Sequence, residues 1–254
     1  MGAGHAHPLH RPGDSPVHRM PPQVKIVAAL LAVICVVATP RAEVLAFAGY
    51  LLVLLGVWTL ARIPVRWFAA RAVIELPFVL LALLMPLLGG GERVGVLGLT
   101  VSVSGSLAGW NILAKGTLGL LISLTLAATT APRELILGLQ RLHLPAMLTT
   151  IATLMLRYLA VIAAEARRMR IARLARGHDP RVLWQAGATA RGVGALFVRS
   201  YERGERVHLA MVSRGFAGTM PDRDTAAVSG RTWLFGLVPS LTLGLVLGVA
   251  LWLG

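Results

Sequence analysis

EVLAFAGYLLVLLGVWTLA, residues 43–61, carries a charge at its first position and none in the eighteen that follow. A bilayer core offers no hydrogen-bond partner to the backbone, so a segment that crosses it has to satisfy its own amides. About 20 apolar residues in one helix do this. The stretch therefore reads as a membrane span, and its neighbours read the same way. Upstream, IVAALLAVICVVA (26–38) is short alone, but the run from Pro22 to Thr39 nearly reaches crossing length before Pro40 ends it. A basic arm before an apolar run also has the form of a signal peptide; the apolar segments that follow at once favour a span. Downstream come 71–88, rich in Leu and closed by Gly89-Gly90-Gly91, then 109–130 and 232–253. Residues 92–108 (ERVGVLGLTVSVSGSLA) are apolar but rich in Gly and Ser, and predict a loop with a short extended or re-entrant piece. Pro77 and Pro86 predict kinks in the third span. Glu75 is expected to pair with Arg71 at i−4, and Lys115 to extend its ammonium toward the outer surface.

Composition agrees. Of 254 residues, 56% are apolar and 14% charged, against about 25% charged in a soluble domain. Mean hydropathy is +0.72. An ordinary cytosolic fold and a disordered chain are both excluded. The net charge is +14. In a soluble protein this would point to nucleic acid; in a membrane protein it follows from the Lys and Arg that collect in cytoplasmic loops. Cys35 is alone, so the chain holds no disulfide framework and no CxxC metal site.

The charge is concentrated. Residues 131–225 contain 15 arginines and 7 acidic residues. As a whole the block is too charged to cross a bilayer, where one central Arg costs roughly 2.5–3.5 kcal/mol. It is nonetheless patterned. Met155, Leu159, Ile162, Ala166 and Met169 step by fours and threes, the apolar face of a long helix. Phe197, Tyr201, Gly204, His208 and Met211 repeat the step in a second helix, with Glu202 and Arg206 as an i,i+4 pair on its far side. Arg62, Arg66 and Arg71 add positive charge to the 62–71 link. The positive-inside rule then places the N-terminal arm, that link and the 131–225 block in the cytoplasm.

Both amphipathic helices end alike. The first runs into Ala175-Arg176-Gly177 and the second into Ser213-Arg214-Gly215. Glycine after the last turn takes the left-handed conformation that closes a helix, and Arg there faces the negative end of the helix dipole. Two ordinary C-caps would look like this. A second reading is that each guanidinium, a rigid and permanently charged fork, docks into a groove on a partner, so that two tips engage two copies of it.

The runs LQRLHLPAMLTTIATLMLRYLAVIAAEARRMRIARLARG (139–177), ARGVGALFVRSYERGERVHLAMVSRGF (190–216) and SPVHRMPPQVKI (15–26) resemble the transmembrane T components of energy-coupling factor (ECF) transporters, and within them the CbiQ cobalt transport proteins. The resemblance covers nearly the whole chain. It implies a membrane scaffold without enzymatic activity or cofactor. Two ABC-type ATPase subunits (CbiO-like) would grip its cytoplasmic helices. A substrate-binding membrane subunit (CbiM-like), with a small accessory membrane subunit (CbiN-like), would capture the ion. The family's coupling motif is Ala-Arg-Gly. It is intact at Ala175-Arg176-Gly177 and departs at Ser213-Arg214-Gly215, where Ser replaces Ala. Met155, Leu159, Ile162, Met169, Phe197, Tyr201, Gly204 and Met211 are expected to pack the helices, with Gly204 allowing a close crossing.

The resulting expectation is an all-α polytopic bacterial inner-membrane protein with about five transmembrane helices and a cytoplasmic block of long amphipathic coupling helices. Its parts are an arm at 1–25, transmembrane helices 1–4 at 26–130, the coupling-helix domain at 131–225 and a last transmembrane helix at 232–253. The expected role is the coupling component of a cobalt importer, with nickel or a vitamin as the alternative cargo. A different class, a membrane-anchored protein binding anionic lipid or nucleic acid through its arginines, remains as the contrast; the resemblance implies contact with membrane lipid and none with nucleic acid. No GxxxxGK[ST] phosphate loop is present, so ATP hydrolysis is expected on partner subunits. His5, His7, His10, Asp14 and His18 make a loose cluster of metal-ligand type; a solvated arm is the favoured reading, with no metal site on this chain.

Overall fold

The computed structural model describes residues 10–90, 93–96, 99–177, 186–218 and 228–253. They form ten α-helices and one small hairpin. These fall into two compact units, one of residues 6–138 with 226–254, the other spanning Leu139–Thr225.

The first unit is a bundle. A single turn, α1 (Pro16–Arg19), leads to α2 (Pro22–Ala38), α3 (Val44–Ala61) and α4 (Val65–Ala72). A 3-10 turn at Val73–Glu75 leads into α5 (Leu76–Leu88). The hairpin of β1 (Arg93–Val96) and β2 (Leu99–Ser102) comes next, then α6 (Val103–Thr129) and the short α7 (Pro132–Arg141). The last helix of the chain, α10 (Gly230–Leu253), completes the bundle. Local chemistry sets the ends. Pro22 fits the first turn of α2, where its missing N–H would be unpartnered anyway. At the other end Thr39 Oγ1 donates to Cys35 O (2.8 Å) and lies 2.8 Å from Tyr50 Oη, which fastens α2 to α3. Arg62 closes α3 in a left-handed conformation (φ 54°).

Close backbone approach holds the helices together. A Cβ at Gly105 would lie 2.4 Å from Met85 O, and one at Gly109 would lie 2.4 Å from Ala82 O. This small-xxx-small spacing presses α6 onto α5. Gly236 does the same for α10, since its Cβ would meet Val24 Cγ1 at 2.2 Å. The core gathers Val36, Tyr50, Ala128 and Leu243. Trp58 and Phe68 meet edge to face, centroids 5.2 Å apart. The opposite helix faces, such as Leu76, Leu80 and Leu83 of α5, are exposed. Water would penalise that surface; lipid requires it.

Several expectations change. Residues 93–96 and 99–102 pair as antiparallel strands, with Arg93 opposite Ser102, and α6 begins at Val103 because Ser102 Oγ caps the N–H of Gly105 (3.1 Å). The third span breaks at the 3-10 turn, so Pro77 starts α5 rather than kinking it. Glu75 is buried and accepts from Thr117 Oγ1 (2.6 Å), while the Arg71 guanidinium lies over the Trp67 ring at 4.0 Å. Lys115 donates to Val37 O (2.7 Å), the end of α2.

Five helices are long and apolar enough to cross a membrane, at residues 44–61, 65–88, 103–129, 146–175 and 230–252, while Pro22–Ala38 is a shorter apolar helix. The fourth, Ala146–Ala175, lies within the block read as cytoplasmic. Its charge is unevenly placed. Residues 146–163 hold only Arg157, whereas Glu165, Arg167, Arg168, Arg170 and Arg173 crowd the remainder. Averaging over the whole block hid an apolar half-helix.

Candidate functional site

The second unit is built on α8 (Ala146–Ala175) and α9 (Gly187–Val212). Pro145 precedes the first turn of α8 and cannot itself continue a helix backward. Both helices close through the same backbone device. At the end of α8, Gly177 sits at φ 75° and its N–H reaches Leu174 O (2.9 Å). At the end of α9, Gly215 sits at φ 83°, its N–H reaches Val212 O (2.9 Å), and Phe216 N–H reaches Met211 O (3.0 Å). This is the paired pattern of a left-handed glycine cap. It puts Arg176 and Arg214 at equivalent places, one residue before the glycine. Ala175 and Ser213 hold the preceding position. All six residues are exposed. Ser213 Oγ donates to Ala210 O (3.1 Å), so its hydroxyl is folded back on its own helix. Among the described residues neither Arg176 nor Arg214 joins an ion pair.

The helices cross near the C-terminal half of α8. Glu165 is the hub. One carboxylate oxygen accepts from Arg199 of α9 (3.0 Å) and the other from Arg168 (2.6 Å). Arg173 donates to Thr189 Oγ1, and Met169 Cε would lie 3.6 Å from a Cβ at Gly192. The end of α8 therefore lies beside the start of α9, and the pair is antiparallel. Thr189 to Arg214 then spans about 37 Å at the usual rise of ~1.5 Å per residue. Arg176 lies one turn past the Arg173 contact, so the two guanidinium tips stand at opposite ends of the pair, on the order of 40 Å apart.

Away from the crossing the helices leave an apolar groove of about 710 Å3. Met155, Leu159 and Ile162 line one wall, and Gly204, His208 and Met211 the other. Two of the residues expected to pack stand apart from this crossing. Phe197 and Tyr201 lie off this groove, 70% and 61% exposed, because α8 meets α9 through Arg199 and Gly192, on another stripe. Gly204 has no atom within 4 Å of where its Cβ would stand; it widens the groove rather than allowing contact, and the crossing glycine is Gly192. Met169 sits at the crossing. The Glu202–Arg206 pair forms, at a long 3.9 Å between exposed side chains, a geometry that contributes little. Sequence reasoning missed Glu165. Its one available signal was that it is the sole acid in α8.

The N-terminal arm is tied to the bundle. Arg11 N–H donates to Ala128 O (3.0 Å). His18 Nε2 lies 3.1 Å from Arg11 O, and Nδ1 lies 2.7 Å from Ser15 Oγ. A carbonyl only accepts, so Nε2 carries the proton and Nδ1 accepts from the Ser15 hydroxyl. Burial pushes the His18 imidazole below its ordinary value; the bond to Arg11 O opposes this, and the charges of Lys25 and His10 add to it. Asp14 instead lies 3.7 Å from Arg19. Among the described residues no three His, Cys, Asp or Glu side chains gather as a metal site; His5 and His7 lie outside them.

Comparison with known proteins bears on this arrangement. The family described as Cobalt transport protein (CbiQ) matches residues 13–225. The energy-coupling factor transporter transmembrane protein EcfT of Bacillus selenitireducens is 30% identical over 224 residues, 82% of each chain. The cobalt transport protein CbiQ of Rhodobacter capsulatus is 31% identical over 161 residues, 63% of this chain and 64% of that one. A putative fused cobalt transport protein CbiMQ of Methanocorpusculum labreanum is 24% identical over 216 residues, 81% of this chain and 36% of that longer one.

Proposed function

The chain belongs to the CbiQ family of ECF-transporter T components, and from that premise we propose that it couples two ABC-type ATPase subunits to a substrate-binding membrane subunit that imports cobalt. The observation that carries the coupling role is the pair of exposed Arg-Gly helix ends on opposite ends of one antiparallel pair. Tips on the order of 40 Å apart suit two separate grooves, one on each of two ATPases, better than one. Each tip offers a planar fork to a carboxylate or carbonyl-lined pocket. Ser213 leaves this geometry unaltered, because its hydroxyl is already satisfied within α9.

Charge supports the topology we propose. Were α8 to cross the bilayer after an even number of earlier spans, its basic half and all of α9 would lie outside, against the positive-inside rule. The apolar half of α8 instead serves partner contact, and the 131–225 block stays cytoplasmic with the arm. The exposed Met155, Leu159, Phe197 and Tyr201 then await cover from the membrane subunit. The cobalt assignment draws on the family and on the Rhodobacter relative's name. The fused CbiMQ relative supports a CbiM-like partner. CbiO-like ATPases and a CbiN-like accessory subunit complete the proposed assembly. ATP binding would draw the ATPases together, and α8 and α9 would shift past each other as packed helices do.

Replacing Arg176 and Arg214 together by Ala tests this. Anchoring arginines at interfaces contribute about 2 kcal/mol or more each, so loss of both lowers affinity about thirty-fold for each ATPase and on the order of a thousand-fold for the pair bound together. Radiolabelled cobalt uptake should vanish while the chain still accumulates in the membrane. Normal uptake with ATPases still bound would refute the coupling role.

A further inference from the structure

The bundle contains a second cavity, of about 280 Å3, where α2, α3, α6 and α10 converge beside α1. That size is at the small end of ligand sites, which run ~300–1,000 Å3. Its origin is legible. Lys25, Ala28, Ala29 and Ala32 occupy one face of α2, and three methyl groups leave room that larger side chains would fill. The space does not come from a loosely placed helix. Gly236 fastens α10 against Val24, and Ser240 Oγ donates to Ala28 O (2.8 Å). Leu60, Phe235 and Val238 line the mouth and are all exposed, so the cavity opens on the lipid-facing surface of the bundle.

One wall is charged. Lys25 is only 7% exposed. Its ammonium donates to His18 O (3.0 Å) and Thr129 O (2.8 Å), which leaves the third N–H for another acceptor. Among the described residues no carboxylate pairs with it. Glu134, whose charge reaches it from farther off, turns one oxygen to Ala131 N–H (3.2 Å). A buried cation whose direct contacts are two carbonyls and no carboxylate is costly. Arg231 adds a second positive charge by the mouth, its guanidinium 5.6 Å from the Phe235 ring. The site thus asks for a molecule with an anionic head and an apolar tail.

We propose that this cavity binds an anionic phospholipid, one acyl chain entering between α3 and α10 past Leu60, Phe235 and Val238 and the head-group phosphate meeting Lys25 and Arg231. The bilayer supplies such a molecule directly at the mouth. The proposal stands independently of the coupling role.

The test uses the full-length chain, stripped of lipid in a neutral detergent. It is given phosphatidylglycerol or phosphatidylcholine with identical acyl chains and observed by native mass spectrometry. Two basic residues facing one phosphate should favour phosphatidylglycerol by about five-fold or more. Ala29→Phe fills the cavity and leaves every charge in place; it should reduce phosphatidylglycerol binding to the phosphatidylcholine level. Lys25→Gln should do the same. Should that variant fail to fold through loss of its two carbonyl bonds, Ala29→Phe and Arg231→Gln still decide between the outcomes. Equal binding of both lipids, or unchanged selectivity in Ala29→Phe, overturns the proposal. Displacement of phosphatidylglycerol by equimolar oleate overturns the phospholipid assignment in favour of a free carboxylate amphiphile.

Discussion

The bundle and the α8–α9 pair are fastened by opposite means. In the bundle, glycines let helices close on one another: Gly105 and Gly109 of α6 meet the backbone of α5, and Gly236 of α10 meets Val24 of α2. In the pair, the contact is one carboxylate shared by two arginines, one Arg–Thr bond and the end of Met169. Backbone contact cannot be shifted without a clash, whereas a hub of flexible side chains can be. Apolar surface divides the two in the same sense. The bundle buries Tyr50 and Leu243 completely, while the pair leaves Met155, Phe197 and Tyr201 uncovered. A scaffold that must hold its shape and a lever that must be gripped and moved would differ in this way.

The largest expected effect breaks the bundle. Gly109→Leu forces a side chain into the Ala82 carbonyl, where even a Cβ would stand at 2.4 Å. Overpacking costs about 1–3 kcal/mol in adaptable cores and more where backbone must move. Membrane accumulation should collapse. Gly204→Ala, at an equally helical position with open space around it, should instead stabilise α9 by about 1 kcal/mol. Thermal melts of the two variants in detergent would show shifts of opposite sign.

Next is the cap. Gly215→Val places a β-branched residue at φ 83°, a conformation that costs an L-residue roughly 1–2 kcal/mol. The last turn of α9 should fray and carry Arg214 out of position. Cobalt uptake should fall while the amount of chain in the membrane is unchanged. Equal uptake would mean that the tip works without its helical mount.

These elements differ in how far the sequence announces them. The spans are legible because hydropathy is a local property, and both Arg-Gly ends are legible because a cap is written in consecutive residues. Close packing is not. Nothing local separates Gly109, pressed on Ala82, from Gly119, which has open space. Glu165 finds Arg199 thirty-four positions on, a distance no periodicity reports. The stripe through Phe197 and Tyr201 is legible from its period, but what covers it is not, because the two helices cross on their polar and glycine-bearing faces. The strand pair of 93–96 and 99–102 is half visible, as an extended piece among glycines.

A smaller effect sharpens the contrast within the pair. Glu165→Gln removes the charge that both Arg168 and Arg199 meet while preserving shape. Hydrogen exchange at the start of α9 should quicken, with α5 and α6 unaffected. Protection retained in α9 would move the crossing's hold to Met169 and Gly192.

The smallest effect concerns the arm, which a titratable ring helps to fasten onto the bundle. In the folded chain burial holds His18 below the ordinary histidine value, near 6.5, so the neutral ring is the one that fits. Its contribution is complete above that value and is lost as pH falls through the lowered folded one. The geometry gives the reason. On protonation, Nδ1 would have to donate to Ser15 Oγ, which already accepts from His18 N–H (3.3 Å), and the new charge would face Lys25 and His10, with Asp14 alone opposing them. Exchange at residues 10–20 should therefore rise between pH 7.5 and pH 5 while α6 stays protected. His18→Gln, which keeps a donor toward Arg11 O without titrating, should flatten that dependence. If the arm loosens equally in the variant, the pH response lies outside His18, and the arm is held by Arg11 and Lys25 alone.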